Sequence, residues 1–461
     1  MKNVWILTEE RPKKDVIRSL IQVLASKIDK PIFIDLIRIV PEIKEGEFTF
    51  RYKILGCTAN WVDTIYLQTV SGTTSFVDFL LYYQNEEPSN LDKPLFVVEE
   101  TKTSDNESRN TGVYQRATKF VFIETIYQGI DKIMFYASDQ ENEGRSTETN
   151  QFGTNCLLTL GIKFIGKNLD EVFSPFRTID ELIEFKGAMR RPPKGNVPID
   201  ITKVSETLIT ISGRLVKSGR LSHDPNIGAL SLISATLRKL GYTGTIRITL
   251  HGLSQGMLNG RNKFIRVCNL YQLELDGLII PESPDTEIYW YFEKSSEKLV
   301  TIFLHLMLEE FSNSKSIYEN HAGCERGYFY RPDGSYMAVK KYTDRELYKS
   351  GDKSAIYALP DLVIQHLEER EIYNIEGEKS ENVSKGIIQL DGFTAFETSY
   401  VNKYYPGYRV IRTVVIYGQL SEPETYCEVS FLLTETGKII LTTNSPKLFI
   451  ETVSNLKSYW A

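Results

Sequence analysis

The most informative part of the sequence is Ser75-Phe-Val-Asp78-Phe-Leu-Leu-Tyr-Tyr83, followed by Pro94-Leu-Phe-Val-Val-Glu-Glu100-Thr-Lys102. It has a short apolar segment with an acid, a turn, and a second apolar segment that ends in acids and a lysine. The chain repeats this pattern in Pro360-Asp361-Leu-Val-Ile364 followed by Ile372-Tyr-Asn-Ile-Glu376-Gly-Glu378-Lys379. Short apolar runs bounded by turn residues are typical of buried strands. We therefore expect two pairs of strands that carry carboxylates.

The spacing of the acids and lysines predicts which side chains share a face of the sheet. Side chains alternate between the two faces of a strand, so Glu100 and Lys102 are expected on one face and Glu99 on the other. In the second stretch, the same rule puts Glu378 on the face of Glu376. Lys379 then faces away unless the strand bulges.

Two carboxylates with a lysine suit a divalent metal ion held against a phosphodiester. Magnesium prefers oxygen ligands and is usually held by one or two carboxylates together with phosphate oxygens. The metal lowers the pKa of a bound water and stabilises the developing charge, while a lysine orients the water. A short acidic motif alone is weak evidence, because 25% of the residues are charged and solvated faces produce such spacings by chance. The evidence for a metal site is stronger where the acids end buried strands, because a buried carboxylate needs a partner such as a metal ion.

The segments after each acidic motif continue in the same order. An amphipathic pattern over residues 114–127 predicts a helix, and residues 132–136 predict a strand. Residues 383–400 and 410–417 show the same two patterns after the second motif. The order strand, strand, helix, strand is therefore predicted twice.

Both segments resemble the PD-(D/E)xK nuclease superfamily, whose best-known members are the type II restriction endonucleases. In the first segment the resemblance implies that Asp78 and Glu100 bind the metal and that Lys102 serves the attacking water. Val77 precedes the first acid, where the family often has proline. Gln115, on the following helix, is the residue that the resemblance places near the scissile phosphate.

In the second segment the resemblance implies that Asp361 and Glu376 bind the metal. The proline is present as Pro360, whereas Glu378 stands where most members have a lysine. Lys379 is a further catalytic candidate, although it is one residue out of register with Glu376. Gln389 is the counterpart of Gln115.

The predicted fold class is α/β, in the broad sense that includes α+β. We expect two cores of the PD-(D/E)xK type, each a mixed sheet flanked by helices, in residues 1–185 and 296–461. Residues 186–295 are expected to form a DNA-facing recognition segment or linker, because Pro192 and Pro193 stop regular structure. A chain of 461 residues is long enough for two or three domains.

The net charge of −6 argues against a nucleic-acid partner, but the basic residues are unevenly placed. Lysine and arginine hold a protein on DNA by contacting phosphates, without reading bases. For any single basic run, an ordinary solvated surface is the simpler explanation. The candidates for contact with double-stranded DNA are Arg116, Lys119, Arg190, Arg191, Lys194, Lys217 and Arg220.

Other kinds of site find little support in the sequence. The five cysteines are scattered and odd in number, which favours neither a disulfide framework nor a zinc ribbon. His321 and Cys324 could begin a zinc site, but no second pair follows at ligand spacing, and His305 is interpreted as a packed core residue. The Gly-x-x-x-x-Gly-Lys-Ser/Thr loop of a nucleotide cofactor site does not occur. The sequence has no apolar stretch of membrane-spanning length and no secretory signal, so we expect a cytoplasmic protein without a membrane partner.

The expected function is that of a type II restriction endonuclease, which uses Mg²⁺ to hydrolyse double-stranded DNA at a specific sequence. If both sites are active, a monomer can cut both strands, whereas a single active site requires a two-fold homodimer. Two alternatives remain open. The chain could be a DNA-binding or repair protein with one active and one degenerate nuclease fold, or a metabolic enzyme.

Overall fold

The computed structural model describes twelve stretches of the chain. They are residues 1–73, 75–102, 113–137, 147–165, 173–189, 199–217, 219–221, 224–249, 252–284, 288–321, 326–419 and 427–461.

These stretches contain strands and helices throughout. The strands are β1 (Lys2–Thr8), β2 (Phe33–Lys44), β3 (Glu47–Thr58), β4 (Val62–Gly72), β5 (Phe79–Gln84), β6 (Phe96–Lys102), β7 (Asp131–Ala137), β8 (Lys163–Ile165), β9 (Asp200–Ser205), β10 (Leu208–Ser212), β11 (Val216–Lys217), β12 (Arg220–Leu221), β13 (Thr245–Thr249), β14 (Leu273–Leu275), β15 (Trp290–Phe292), β16 (Ser314–Glu319), β17 (Arg326–Tyr330), β18 (Tyr336–Lys340), β19 (Leu362–His366), β20 (Glu371–Lys379), β21 (Arg409–Tyr417), β22 (Val429–Leu433) and β23 (Ile439–Leu441). The α-helices are α1 (Lys14–Lys27), α2 (Val113–Ile123), α3 (Glu148–Thr159), α4 (Ile179–Ala188), α5 (Asp224–Lys239), α6 (Lys263–Tyr271), α7 (Glu297–Phe311), α8 (Arg345–Ser350), α9 (Val383–Asp391), α10 (Thr394–Phe396), α11 (Asn402–Tyr404) and α12 (Lys447–Trp460).

The chain folds into two compact units. The terminal unit comprises Met1–Val70 and Phe292–Ala461, and the central unit comprises Ser71–Tyr291. Both have mixed sheets flanked by helices, as the α/β prediction requires. Among the described helices, none combines the length and the apolar character needed to cross a membrane.

The central unit is built on a mixed sheet in which β5, β6, β7 and β8 are neighbours in that order. β5 runs antiparallel to β6, and β6, β7 and β8 are parallel. Phe96, Val97 and Val98 of β6 are all buried, which is typical of a strand covered on both faces. A second sheet has the order β14, β13, β10, β9.

The terminal unit contains an eight-stranded sheet in the order β18, β17, β16, β19, β20, β21, β22, β23. β19 is antiparallel to β20, and β20, β21 and β22 are parallel. Helices α7 and α9 both pack on β20 and β21. The order of strand, strand, helix and strand that was predicted twice is therefore present in both units.

The division into units differs from the three consecutive segments expected from the sequence. Residues 1–70 belong with the C-terminal part of the chain because long-range contacts join them. The Phe48 amide donates to the Gly437 carbonyl at 2.8 Å, and the Trp460 indole donates to the Pro41 carbonyl at 2.8 Å. Such contacts have no local signature in the sequence. Residues 186–291 likewise belong to the central unit together with the first acidic motif.

Helices α2 and α5 of the central unit pack closely at Gly228. A Cβ atom at this position would lie 2.1 Å from the Tyr114 carbonyl oxygen and 2.5 Å from the Thr118 hydroxyl oxygen. The absent side chain therefore allows α5 to lie against the backbone of α2, the helix that follows the first acidic motif.

Gly228→Ala is expected to destabilise the protein by about 1–3 kcal/mol, because the two helices must separate to admit the methyl group. Differential scanning calorimetry will show this as a lower unfolding temperature. Gly187→Ala in α4 is the matched control, because nothing lies within 4 Å of its added Cβ. It should be neutral or stabilising by up to about 1 kcal/mol. An unchanged unfolding temperature for Gly228→Ala would contradict the tight packing of α2 and α5.

Candidate active sites

In the central unit, Asp78 faces Glu99 across an antiparallel strand pair. Phe79 pairs with Val98, and continuing this register places Asp78 opposite Glu99. Residues directly opposite in an antiparallel pair project from the same face. The Asp78 amide donates to Glu99 Oε2 at 3.2 Å, and Asp78 Oδ2 accepts from the Glu100 amide at 2.7 Å. Asp78 is thus fixed by the backbone of the strand that carries Glu99.

This geometry corrects the prediction for the first motif. The expectation that Glu99 points away from Asp78 is wrong, because the register puts these two acids together. Glu100 contributes its amide to the site, and alternation along β6 places its carboxylate on the opposite face. Lys102 ends β6 and only its place in the strand is described, so its catalytic role stays a prediction.

Lys119 of α2 completes the central site, which we define as Asp78, Glu99 and Lys119. Its Nζ lies 2.7 Å from Glu99 Oε1 and 3.2 Å from Asp78 Oδ1. Burial, reinforced by the charge of Asp78, raises the pKa of Glu99 to about 8. Burial by itself lowers the pKa of Lys119, but the charges of the two carboxylates together have the larger effect and raise this pKa. Lys119, predicted to contact DNA, therefore forms ion pairs with the acids.

Gln115 was predicted to lie near the scissile phosphate and Arg116 to contact DNA, and the two side chains have different surroundings. Arg116 is half-buried, and its Nε donates to the Glu100 carbonyl oxygen at 3.0 Å. Gln115 is exposed, one turn before Lys119 on the same helix. Arg116 therefore supports β6 next to the acids, whereas the role of Gln115 near a phosphate stays a prediction.

The terminal unit repeats the arrangement of the two acids. Leu362 pairs with Ile375, and this register places Asp361 opposite Glu376. Asp361 Oδ2 accepts from the Gly377 amide at 3.0 Å, as Asp78 Oδ2 does from the amide of Glu100. Asp361 with Glu376 thus corresponds to Asp78 with Glu99, whereas sequence spacing had matched Glu376 to Glu100.

Glu378 adds a third carboxylate, and we define the terminal site as Asp361, Glu376 and Glu378. β20 pairs with β21 without interruption from Glu371 to Lys379. The strand has no bulge, so Glu376 and Glu378 share a face and Lys379 lies on the other, as alternation predicted. Glu376 and Glu378 are both buried. The second motif therefore brings acids together and leaves its own lysine outside.

The lysine near the terminal site comes from α9. Lys385 Nζ lies 3.4 Å from Glu378 Oε1, and its side chain is 67% exposed, compared with 28% for Lys119. Gly386 allows α9 to approach, because a Cβ there would lie 2.6 Å from Glu378 Cγ. The ion pair of Lys385 is longer and more exposed to water than the ion pairs of Lys119, so Lys385 offsets less of the carboxylate charge. The sequence motif did not single out Lys385, since it lies six residues beyond the motif.

Burial is the main cause of the raised pKa values of the carboxylates in the terminal site. It raises the pKa of Glu376, and the neighbouring Asp361 and Glu378 add to the effect. Burial also raises the pKa of Asp361 to about 7, although the hydrogen bond from the Gly377 amide opposes the change. Perturbed acids that converge in this way are typical of functional sites, although structural ion pairs also produce them.

The donor set of the terminal site fits a hard divalent cation. Glu376 Oε2 and Glu378 Oε2 are buried and have no hydrogen-bond partner among the described residues. Buried carboxylate oxygens without a partner are costly unless a cation or a proton satisfies them. Three carboxylates against one exposed lysine provide the oxygen ligands that Mg²⁺ prefers. In the central site, Lys119 already lies between the two acids.

Most of the predicted DNA-binding residues remain untested by the structure. Arg190, Arg191 and Lys194 lie outside the described residues, and Lys217 is described only by its place in β11. Arg220 is exposed in β12, which pairs with β11 as a short hairpin. Gln389 of α9 is half-buried.

Comparisons with known proteins found no match to a protein-family model, a curated protein or a solved structure.

Asp361→Asn is expected to stabilise the metal-free protein, and the gain should grow as the pH rises from 4 to 8. A carboxyl with a pKa of about 4 in the unfolded chain and about 7 in the folded protein takes up a proton on folding. The wild-type protein therefore loses stability as the pH rises through this window, by an amount on the order of 1–4 kcal/mol. The neutral asparagine removes this loss and can still accept from the Gly377 amide.

Urea denaturation in the presence of EDTA, at several pH values, measures this effect. Asp352→Asn is the matched control, because the Ser354 side chain and amide hold the pKa of this exposed carboxyl below its usual value. That variant should show no gain that increases with pH. A pH-independent effect of Asp361→Asn would mean that Asp361 is not a buried, perturbed acid.

Proposed function

We propose that this protein is a magnesium-dependent nuclease of the PD-(D/E)xK type that hydrolyses phosphodiesters of double-stranded DNA, as a type II restriction endonuclease. The observation that carries this proposal is the recurrence of one geometry in two units. In each, two acids face each other across an antiparallel strand pair, and the first acid accepts from the amide that follows the second. A helix and a parallel strand then follow. Chance accounts for one acidic pair, but a common chemical role better accounts for two pairs with the same register.

The terminal site is the stronger candidate for catalysis. Asp361, Glu376 and Glu378 would hold Mg²⁺ through their carboxylate oxygens. When bound, the ion supplies a water of lowered pKa and positive charge against the phosphate. The Gly377 amide fixes the rotamer of Asp361, and the buried strands keep the acids in place.

Lys385 supplies the positive charge that the lysine of the motif supplies in PD-(D/E)xK nucleases. Its ammonium group is within 3.4 Å of the Glu378 carboxylate and is largely exposed to solvent. From there it can contact a phosphate oxygen of a strand laid across the acids, because a lysine on a flexible stem makes such contacts. Lys379, on the opposite face of β20, is not needed for this contact.

A second candidate function is supported by Lys119. Its ammonium group lies between Asp78 and Glu99, so the central site has less negative charge to attract a metal ion than the terminal site. This favours a DNA-binding or repair protein with one active and one degenerate nuclease fold. If the protein is a restriction endonuclease, one active site implies a homodimer on a palindromic target, and two active sites allow a monomer to cut both strands.

Glu376→Gln is expected to reduce cleavage of supercoiled plasmid DNA by roughly 100-fold or more in the presence of Mg²⁺. The change removes a carboxylate from the terminal site but keeps its size. Lys379→Ala is the control from the other face of the same strand, and its cleavage rate should stay within a few fold of the wild-type rate. Discrete bands indicate a sequence-specific enzyme, and a smear indicates a repair-type nuclease. A gel shift by the wild-type protein without cleavage would refute the nuclease proposal.

Glu99→Gln and Glu100→Gln test the central site on the same plasmid. If this site is active, Glu99→Gln should convert double-strand cleavage to strand-specific nicking, because only the terminal site still acts. Glu100→Gln should leave double-strand cleavage intact, since alternation along β6 places the Glu100 side chain on the opposite face of the strand from Glu99. The reverse result would support the original assignment of Glu100 as a ligand. Full double-strand cleavage by both variants would identify the central site as degenerate.

A further inference from the structure

Three metal-ligating side chains that the nuclease proposal does not use meet in the terminal unit. They are His305 of α7, Glu319 at the end of β16, and His321 two residues later. One ligand atom from each lies within 4.8 Å of the others. His305 Nδ1 is 2.9 Å from His321 Nε2 and 3.6 Å from Glu319 Oε2. The sequence suggested only that His305 is a core residue, because nothing local brings it to His321.

These distances suit a small divalent cation of the zinc class. Zinc binds imidazole nitrogen and carboxylate oxygen at about 2.0–2.2 Å, so tetrahedral ligands lie roughly 3.3 Å apart. The separations of 2.9 and 3.6 Å lie on either side of that value. Two histidines and one glutamate form a recognised zinc ligand set that leaves one coordination position open.

The protonation states of the two imidazoles also suit a cation. Burial lowers the pKa of His305, and it lowers the pKa of His321 to about 4, which favours the unprotonated rings that a cation requires. In the hydrogen bond between the rings, one of the two facing nitrogens carries a proton. An ion bound there requires only that this proton move to the far nitrogen of the same ring, without net proton release.

The far nitrogen of His321 has an acceptor placed to receive that proton, whereas the far nitrogen of His305 faces a carboxylate beyond hydrogen-bond distance. His321 Nδ1 is 2.9 Å from the Thr301 hydroxyl, and His305 Nε2 is 4.0 Å from Glu309 Oε1. His305 Nε2 has no hydrogen-bond partner among the described residues. A carboxylate or hydroxyl behind the ligating histidine is the usual means by which proteins orient metal ligands.

Two carboxylates lie beside the histidines, and the cluster is partly open at one of them. Arg11 pairs with Glu309 at 3.1 Å and with Glu319 at 2.9 Å, so the two carboxylates share one guanidinium. His305 is fully buried, whereas the Glu319 side chain is 25% exposed. The partial exposure of Glu319 gives solvent access to one edge of the cluster.

We propose that His305, His321 and Glu319 form a binding site for a zinc-class divalent cation that joins α7 to the end of β16. The site uses nitrogen ligands and is separate in its residues from the carboxylates proposed to hold Mg²⁺. It does not depend on the nuclease proposal. Its consequence is structural, because an ion bound only in the folded state stabilises that state.

Titration of EDTA-treated full-length protein with Co²⁺ tests this site. The wild-type protein should bind one Co²⁺ with the visible absorption of a four-coordinate ion, and Zn²⁺ should displace it and raise the unfolding temperature. His321→Gln should lose the absorption. Glu378→Gln and His366→Gln, which remove a carboxylate of the terminal site and a histidine outside the cluster, should keep it. Absorption that persists in His321→Gln, or is absent in the wild-type protein, would overturn the proposal.

Thr301→Val provides a second measurement that leaves all three ligands in place. It removes the hydroxyl that holds His321 Nδ1, so the affinity for Co²⁺ should fall by roughly 10–100-fold while the absorption spectrum keeps its shape. Circular dichroism checks that each variant is folded. If His321→Gln does not fold, this variant decides, because an unchanged Co²⁺ affinity would then reject the site.

Discussion

The pairing of two carboxylates across an antiparallel strand pair is the constraint on which both candidate sites depend. Like charges at this distance repel each other, and burial at the end of an apolar strand adds a desolvation cost. Each unit offsets part of the cost in the same way, since the first aspartate accepts from an amide of the neighbouring strand. The remaining charge is balanced by a cationic side chain or removed by a proton, and the two units differ in which cationic side chain they provide.

In the central unit the balance comes from Lys119, whose ammonium group contacts both acids and is largely enclosed. In the terminal unit, Lys385 lies at the surface against a third carboxylate, and two buried carboxylate oxygens keep no hydrogen-bond partner among the described residues. The same backbone geometry thus gives one site whose two acids contact a lysine directly and one whose buried carboxylates are left partly without partners among the described residues. Packing makes this possible, because Gly386 lets α9 cover Glu378, and Gly377 faces Thr301 of α7 on the other side of the sheet.

Much of the secondary structure was predictable from the sequence. The helix around Tyr114 and the strands of the two acidic motifs lie where periodicity placed them, since burial imposes a period of 3.6 or 2 on apolar residues. The division into units was not predictable, because residues 1–70 join the C-terminal part of the chain through contacts such as that of Phe48 with Gly437. The meeting of His305 with His321 depends in the same way on the packing of a helix against the end of a strand.

From the sequence alone it follows that the two acidic motifs form strands, where the acids fall along them, and that Glu376 and Glu378 share a face while Glu99 and Glu100 do not. Strand alternation is a local property, so spacing is enough to fix it. Tertiary contacts were needed to show that Glu99, and not Glu100, faces Asp78, and that the nearby cationic side chains are Lys119 and Lys385 on the helices. The physical reason is that alternation gives relative faces, whereas pairing with the neighbouring strand and the side covered by the helix set the absolute face.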